Sequence, residues 1–324
     1  MKKALLAKYL RYEIFPRQEI QFPLPWTEIF GRTAPLYVEI GFGNGIFLIN
    51  WAKEQPTGNF IGIEISLESL GRVQKGIFQE RLTNIRVIHE DARFALREFF
   101  ADNSIRHIMM NFPDPWPKER HRDRRALSPS FVQILGAVLE PDGIFELVTD
   151  QEWYAHQALE LCQQLPFLAV GMVEKNPCRS IQTKYEKKWR QLGRDVYRLV
   201  ARKTQPTTVE RIIEGGDMPH VLIPNIPLTF EHIQALENMQ GEGPNQFFIV
   251  KESYATADGQ KFLLLTITRD FDYQQKFYIT VVARQNGWIV KLESTTQPYR
   301  TAAVKLAVQA IGQKLLARKN RPIK

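Results

Sequence analysis

Cysteine is scarce. Two thiols in 324 residues, Cys162 and Cys178, exclude a disulfide framework and point to a reducing compartment. The six histidines and these cysteines show no metal-ligand spacing, so no metal is expected. No apolar run reaches membrane-spanning length, and Met1–Lys3 leads into no signal-type apolar core. No membrane association is expected, and the chain reads as cytoplasmic. A basic tail is missing too. Net charge is +8, yet the excess is spread: residues 1–203 carry 29 basic and 24 acidic side chains, residues 204–324 carry 14 and 11. A polyanionic partner must then be met by a local basic cluster.

What is present is an ordinary globular composition, 44% hydrophobic and 24% charged, at a length that suits two domains. Residues 1–35 read as an arm. It opens with a short basic helix holding Lys2, Lys3, Lys8 and Arg11, and continues as the Pro-rich stretch 22–26, expected to pack on a core. From Leu36 strand and helix alternate. Apolar strands are predicted at 36–40, 60–63, 85–88, 105–110 and 144–148, with helices at 46–53, 66–81, 92–100, 129–140 and from Gln151 to Leu165. Strands at 167–173 and 196–202 bring the count to seven. Such alternation means an α/β fold built on a doubly wound, mostly parallel sheet, with the last two strands at an antiparallel edge. Residues 204–324 change character. A helix at 229–240, four strands with Asp258-Gly259 and Asn286-Gly287 turns, and a helix at 301–318 suggest a second, smaller α+β domain with no chemistry of its own.

The most unusual stretch follows the fourth strand. Asn111-Phe-Pro-Asp-Pro-Trp-Pro holds three prolines, which forbid an immediate helix because each lacks an N–H and fixes φ. A stiff loop must leave the strand end carrying Asp114 and Trp116. Lys118, Arg120, Arg122, Arg124 and Arg125 come next, with Glu119 and Asp123 among them, a local charge of about +3. A carboxylate, an indole and a row of guanidiniums at a strand's carboxyl edge suit a site that handles a base and its phosphates.

Acids mark the other strand ends as well. Glu64, Asp91, Asp114 and Asp150 end or follow four strands, and Glu39 sits two residues before the loop Gly41-Phe42-Gly43-Asn44-Gly45. Ligands of open α/β sheets bind beyond the carboxyl ends of the strands. Each acid has a local alternative: Asp150 as a helix cap, Asp114 in an Asx-turn, Glu64 in a surface pair. Five along one edge require something positive to offset them. NAD needs its pyrophosphate on a helix N-terminus behind G-x-G-x-x-G, and this loop is G-x-G-x-G. S-adenosylmethionine has no phosphate; it has a sulfonium, an amino group and a ribose diol. The acid-rich edge favours it, with Glu39 at its amino-acid end, Glu64 on the ribose hydroxyls and Asp91 facing the adenine amino group.

Together, Tyr37-Val-Glu-Ile-Gly-Phe-Gly-Asn-Gly, Gly62-Ile-Glu-Ile, Glu90-Asp91-Ala92, the Asn111–His121 block, Val148-Thr-Asp and Thr183-Lys-Tyr-Glu resemble the bacterial tRNA (guanine-N7)-methyltransferases. The resemblance spans about residues 30–203, and the Pro-Asp-Pro-Trp block is its specific part. It implies a class I methyltransferase fold and methylation of a variable-loop guanosine in tRNA. It also implies cofactor contacts from Glu39, the loop of Gly41, Gly43 and Gly45, Glu64, Asp91 and Asp114. Asp114 would be catalytic, and Lys118, Asp150, Thr183, Lys184, Tyr185 and Glu186 would contact tRNA. Either a monomer or a homodimer is compatible with it.

Guanine N7 has a lone pair and no proton, so its methylation needs no general base; alignment and a carboxylate near the developing cation suffice. Asp114 and Asp150 are expected to bracket the base, Trp116 to stack on it or wall the pocket, and Lys118 with the four arginines to hold the backbone. Three rivals make different predictions. A small-molecule methyltransferase needs no basic block, an oxidoreductase binds NAD, and a non-catalytic RNA-binding protein transfers no methyl group.

Overall fold

The computed structural model describes residues 8–18, 21–118, 120, 125–224 and 226–317; Lys2 and Lys3 of the expected basic helix lie outside them. The chain forms two compact units, Met1–Glu210 and Arg211–Lys324.

The first unit is organised by strands β2 (Leu36–Ile40), β3 (Asn59–Glu64), β4 (Ile85–His89), β5 (Ile105–Asn111) and β6 (Leu139–Thr149), all parallel. Val38, Ile61, Val87, Ile108 and Leu147 are wholly buried, as strands covered on both faces require. The parallel strands are ordered β4-β3-β2-β5-β6, so the winding reverses between β2 and β5. At that switch point a crevice opens beyond the strand ends. Strand β9 (Tyr197–Lys203) runs antiparallel to β6, and β7 (Leu168–Val170) pairs on its far side. Two annexes raise the seven expected strands to nine. They are β1 (Glu13–Ile14), parallel to β4, and β8 (Glu174–Lys175), on β9. Two-residue strands carry no periodicity to detect. The turn expected at 141–143 lies inside β6, where Leu139 pairs with Ile105 and Ile144 with His107, so the chain bulges between them.

Helices α1 (Trp26–Phe30), α2 (Ile46–Glu54), α3 (Leu67–Gln79), α4 (Ala92–Phe99), α5 (Pro129–Val138), α6 (Glu152–Gln163) and α7 (Lys184–Gln191) belong to this unit. Their starts are legible chemistry. Ser66 accepts from the Ser69 amide, Asp91 from Arg93 and Phe94, and Ser128 from Phe131 just ahead of Pro129 at the first turn. Gly45 opens α2 at φ 73°, and a Cβ there would lie 2.2 Å from Val73 Cγ2 on α3. Only glycine permits that approach. The Pro-rich arm packs as expected: Trp26 donates to Phe99 O (3.0 Å) and stacks on Phe100.

In the second unit an antiparallel sheet runs β10-β15-β14-β13-β12-β11. Its strands are β10 (Val221–Pro224), β11 (Gln240–Gly243), β12 (Gln246–Ala255), β13 (Lys261–Asp270), β14 (Tyr273–Arg284) and β15 (Gly287–Leu292). Helix α9 (Ala302–Leu316) buries Val304, Val308, Ile311 and Leu315 in one core with Phe262, Phe277 and Ile279. The helix expected at 229–240 is only α8 (Phe230–Gln234). Asn238 takes φ 62° and donates to Val250 O, and residues 240–243 pair with β12, so sheet pairing overrides helical propensity there. Among the described residues no helix is long and apolar enough to cross a membrane.

Candidate active site

A cavity of about 690 Å³ opens at the β2–β5 crevice, within the range of roughly 300–1,000 Å³ usual for small-ligand sites. Glu39, Glu64, Asp91, Asp114 and Asp150, one from each parallel strand end, all line it, with Gly41, Gly43, Thr183, Lys184 and Tyr185. Trp116, Trp189 and Phe131 add apolar wall. Of the remaining expected residues, Gly45 sits just behind the loop at the start of α2, and Lys118 is exposed outside the lining. Arg122 and Arg124 lie outside the described residues.

The acids do different work. Glu39 is 1% exposed. Its Oε1 accepts from Asn111 Nδ2 (3.0 Å), and its Oε2 is buried with no hydrogen-bond partner among the described residues. Burial pushes its carboxyl up to about 8, against the opposing pull of Asn111 and the Arg179 charge. Glu64 ties down the glycine loop: Gly43 N–H donates to Oε2 (3.0 Å), and the Ile65 and Ser66 amides donate to Oε1. Asp91 caps α4 and pairs with Arg93. Asp150 does not cap α6. That helix starts at Glu152 behind Gln151, without a side-chain cap, while Thr149 Oγ1 takes the Gln151 amide and Asp150 Oδ2 accepts from the Gln151 side chain. Asp114 is exposed and accepts no hydrogen bond among the described residues.

The loop that presents Asp114 is braced from behind. Phe112 (φ 50°) and Trp116 (φ 42°) both adopt left-handed backbone, costly for such side chains. Phe112 N–H donates to Val148 O (2.7 Å), and Arg125 Nε donates to Trp116 O (3.2 Å). Arg125 was expected in the row facing a nucleic-acid backbone. It is instead 6% exposed, over the Trp153 ring and bonded to Gln157.

Glu186, expected against tRNA, does not line the cavity. It is fully buried: Oε2 accepts from Arg179 Nη1 (2.7 Å), and Oε1 from Arg190. Arg179, which no sequence pattern singles out, also donates through Nη2 to Asn111 Oδ1 (2.9 Å) and lies 3.8 Å from Glu146. Burial works against charge on Glu146, but contacts from His107 and Arg198 prevail and hold its carboxyl at about 2.

The loop's amides decide between the two cofactors. Gly43 N–H is engaged by Glu64, Ile46 N–H by Asn44 Oδ1 and Gly45 N–H by Phe42 O. A pyrophosphate would lose those donors and meet the Glu64 charge. The unsatisfied Glu39 oxygen suits an ammonium donor, and Glu64 Oε2 keeps a lone pair for a hydroxyl. Fold and site thus define a class I methyltransferase dependent on S-adenosylmethionine.

Residues 33–199 match a family described as "Putative methyltransferase". Over 94% of its length the chain is 41% identical to the tRNA (guanine-N(7)-)-methyltransferase of Thermotoga maritima, covering 97% of that protein. Proteins of the same name from Coprothermobacter proteolyticus (31% identical, 93% of each chain) and Thermus thermophilus (29% identical, 94% of this chain and 96% of that one) also match nearly end to end. The chain belongs to the bacterial tRNA (guanine-N(7)-)-methyltransferase family. The likeness extends well beyond residues 30–203, so the second unit is shared with these relatives.

Proposed function

We infer that this chain methylates N7 of a guanosine in tRNA, and we assign the guanosine to the variable loop. The observation that carries the reading is the cavity lining: five carboxylates from five strand ends share one space with the Thr183–Tyr185 turn. Glu39, the Gly41–Gly45 loop, Glu64 and Asp91 are assigned to S-adenosylmethionine, and Asp114 to both cofactor and reacting base. When bound, S-adenosylmethionine supplies a methyl carbon on a sulfonium leaving group, and the reaction exchanges the carbon–sulfur bond for a carbon–nitrogen bond.

The protein's own share is alignment and charge. N7 offers its lone pair unprotonated, so no side chain has to remove a proton from it. The purine gains positive charge as the bond forms, and carboxylates held at the strand ends stabilise that charge more than they stabilise the neutral base. Asp114 and Asp150 bracket the base in this reading, and Trp116 and Trp189 supply apolar walls against its faces. Lys118, Arg120 and Lys184 hold the tRNA backbone, and replacing Lys118 and Arg120 together by Ala should flatten the salt dependence of tRNA binding by about two units of slope.

The deciding experiment incubates the protein with labelled methyl donor and unmodified tRNA, then maps strand scission after borohydride and aniline. One cleavage in the variable loop is expected. Label without scission, or scission elsewhere, overturns the assignment.

A further inference from the structure

One polar chain leads from the cavity lining, at Glu39 and Asn111, to Arg179 and Glu186 behind it. It starts at Glu39, whose Oε2 is unsatisfied among the described residues while Oε1 accepts from Asn111 Nδ2. The Asn111 amide is held from both sides, because its Oδ1 accepts from Arg179 Nη2 (2.9 Å). A second guanidinium nitrogen, Nη1, donates to Glu186 Oε2 (2.7 Å), and Nε lies 3.8 Å from Glu146. Glu186 lies in the first turn of α7, directly after Thr183, Lys184 and Tyr185, and its amide donates to Thr183 Oγ1.

We propose that Arg179 is a positioning residue which links the cofactor end of the cavity to its tRNA end, so that filling either end strengthens binding at the other. The inference rests on the assignment of Glu39 to the cofactor and of residues 183–185 to tRNA. Arg179 decides which way the Asn111 amide faces. With Oδ1 pinned by the guanidinium, Nδ2 must point at Glu39, and one carboxylate oxygen is left for a ligand. Without that pin the amide can turn its oxygen toward Glu39 and repel it. At its other end the same guanidinium fixes the buried acid under the α7 start. Its side chain is 6% exposed, passes over the Phe47 ring at 5.3 Å and approaches Met109 Sδ at 3.7 Å, so it has little room for a second arrangement. A planar fork spans the two partners; the ammonium of lysine, a compact point charge, does not.

The test measures linkage rather than activity alone. The probes are S-adenosylhomocysteine, which keeps the amino-acid end, and 5′-methylthioadenosine, which lacks it. In wild type, saturating S-adenosylhomocysteine should tighten binding of unmodified tRNA by about tenfold, and tRNA should tighten S-adenosylhomocysteine equally. Methylthioadenosine should bind without this effect. Arg179→Lys should bring the ratio to about one. Arg190→Lys perturbs the same Glu186 without reaching Asn111 and should keep the full ratio, whatever either variant does to thermal stability. Asn111→Ser interrupts the chain without touching Glu186 and should also abolish linkage, which guards against an Arg179 variant that does not fold. Linkage that survives in both Arg179→Lys and Asn111→Ser, or equal linkage by methylthioadenosine, overturns the proposal. Wild type that binds both ligands independently overturns it alone; wild type that binds neither overturns the site assignment as well.

Discussion

The two units differ in where their buried polar side chains lie: only in the parallel unit do they line the cavity described above. In the antiparallel unit, several buried polar groups are spent on its own backbone, while Thr268 Oγ1 is buried with no hydrogen-bond partner among the described residues. Gln275 bonds Tyr299 on both its oxygen and its nitrogen, Thr280 donates to Phe262 O, and Asp270 accepts the Ala303 amide at the start of α9. At the carboxyl edge of the parallel unit, Glu39 keeps one oxygen unmatched among the described residues, and Asp114 and Asp150 face the cavity. Satisfied polarity stabilises a fold; polarity left unsatisfied beside a cavity stores affinity for a ligand.

The strongest way to break this contrast is Asp114→Ala. Turnover should fall by about a thousandfold with the melting temperature unchanged, since this exposed side chain accepts no hydrogen bond among the described residues. Methyl transfer within tenfold of wild type, on a fully folded variant, removes Asp114 from the reaction. The matching change in the other unit is Ile311→Ala, wholly buried against the sheet. It should cost about 3 kcal/mol in denaturant unfolding and leave S-adenosylhomocysteine affinity untouched; altered affinity would show that the contrast is drawn too sharply.

Glu39→Gln sharpens the comparison, because it should weaken cofactor binding and improve stability together. Loss of a charge-assisted contact should cost about 2 kcal/mol of affinity, roughly thirtyfold. For stability the sign follows from the raised carboxyl. Between the ordinary value of 4.5 and about 8, the unfolded chain has released this proton and the folded chain has not. Glu39 therefore subtracts stability progressively as pH rises through that window. Ligand-free Glu39→Gln should melt with wild type at pH 4 and above it at pH 8.5. In wild type, cofactor affinity should increase as pH rises through about 8. Smallest is Asp270→Ala, where losing the cap on α9 should cost about 1 kcal/mol, again with no effect on ligand binding.

Much of this was legible in the chain. Buried parallel strands read as short apolar runs, and acids placed just after them reach the same edge because parallel strands all end on one side. That is why residues as distant as Glu39 and Asp150 could be assigned to one cavity. The irregular segment before α7 was not legible. Arg179 has neither periodicity nor motif, and its partners lie at positions 111, 146 and 186. Helix α7 carries five charged residues in eight, which suggests a solvated Glu186. Its burial is made possible by two arginines, and only the i,i+4 spacing of Glu186 and Arg190 hinted at a pair. The inward turn of Arg125 is hidden for a related reason: a basic run does not say which of its members braces a strained loop.

Residue order alone determined the α/β alternation, the edge on which the acids gather and the stiffness of the Pro-Asp-Pro-Trp loop, because each follows from local sterics and hydrophobic spacing. The tertiary structure decided which carboxylates are saturated and which keep an open valence. That depends on donors brought from elsewhere in the chain, and no local pattern encodes them.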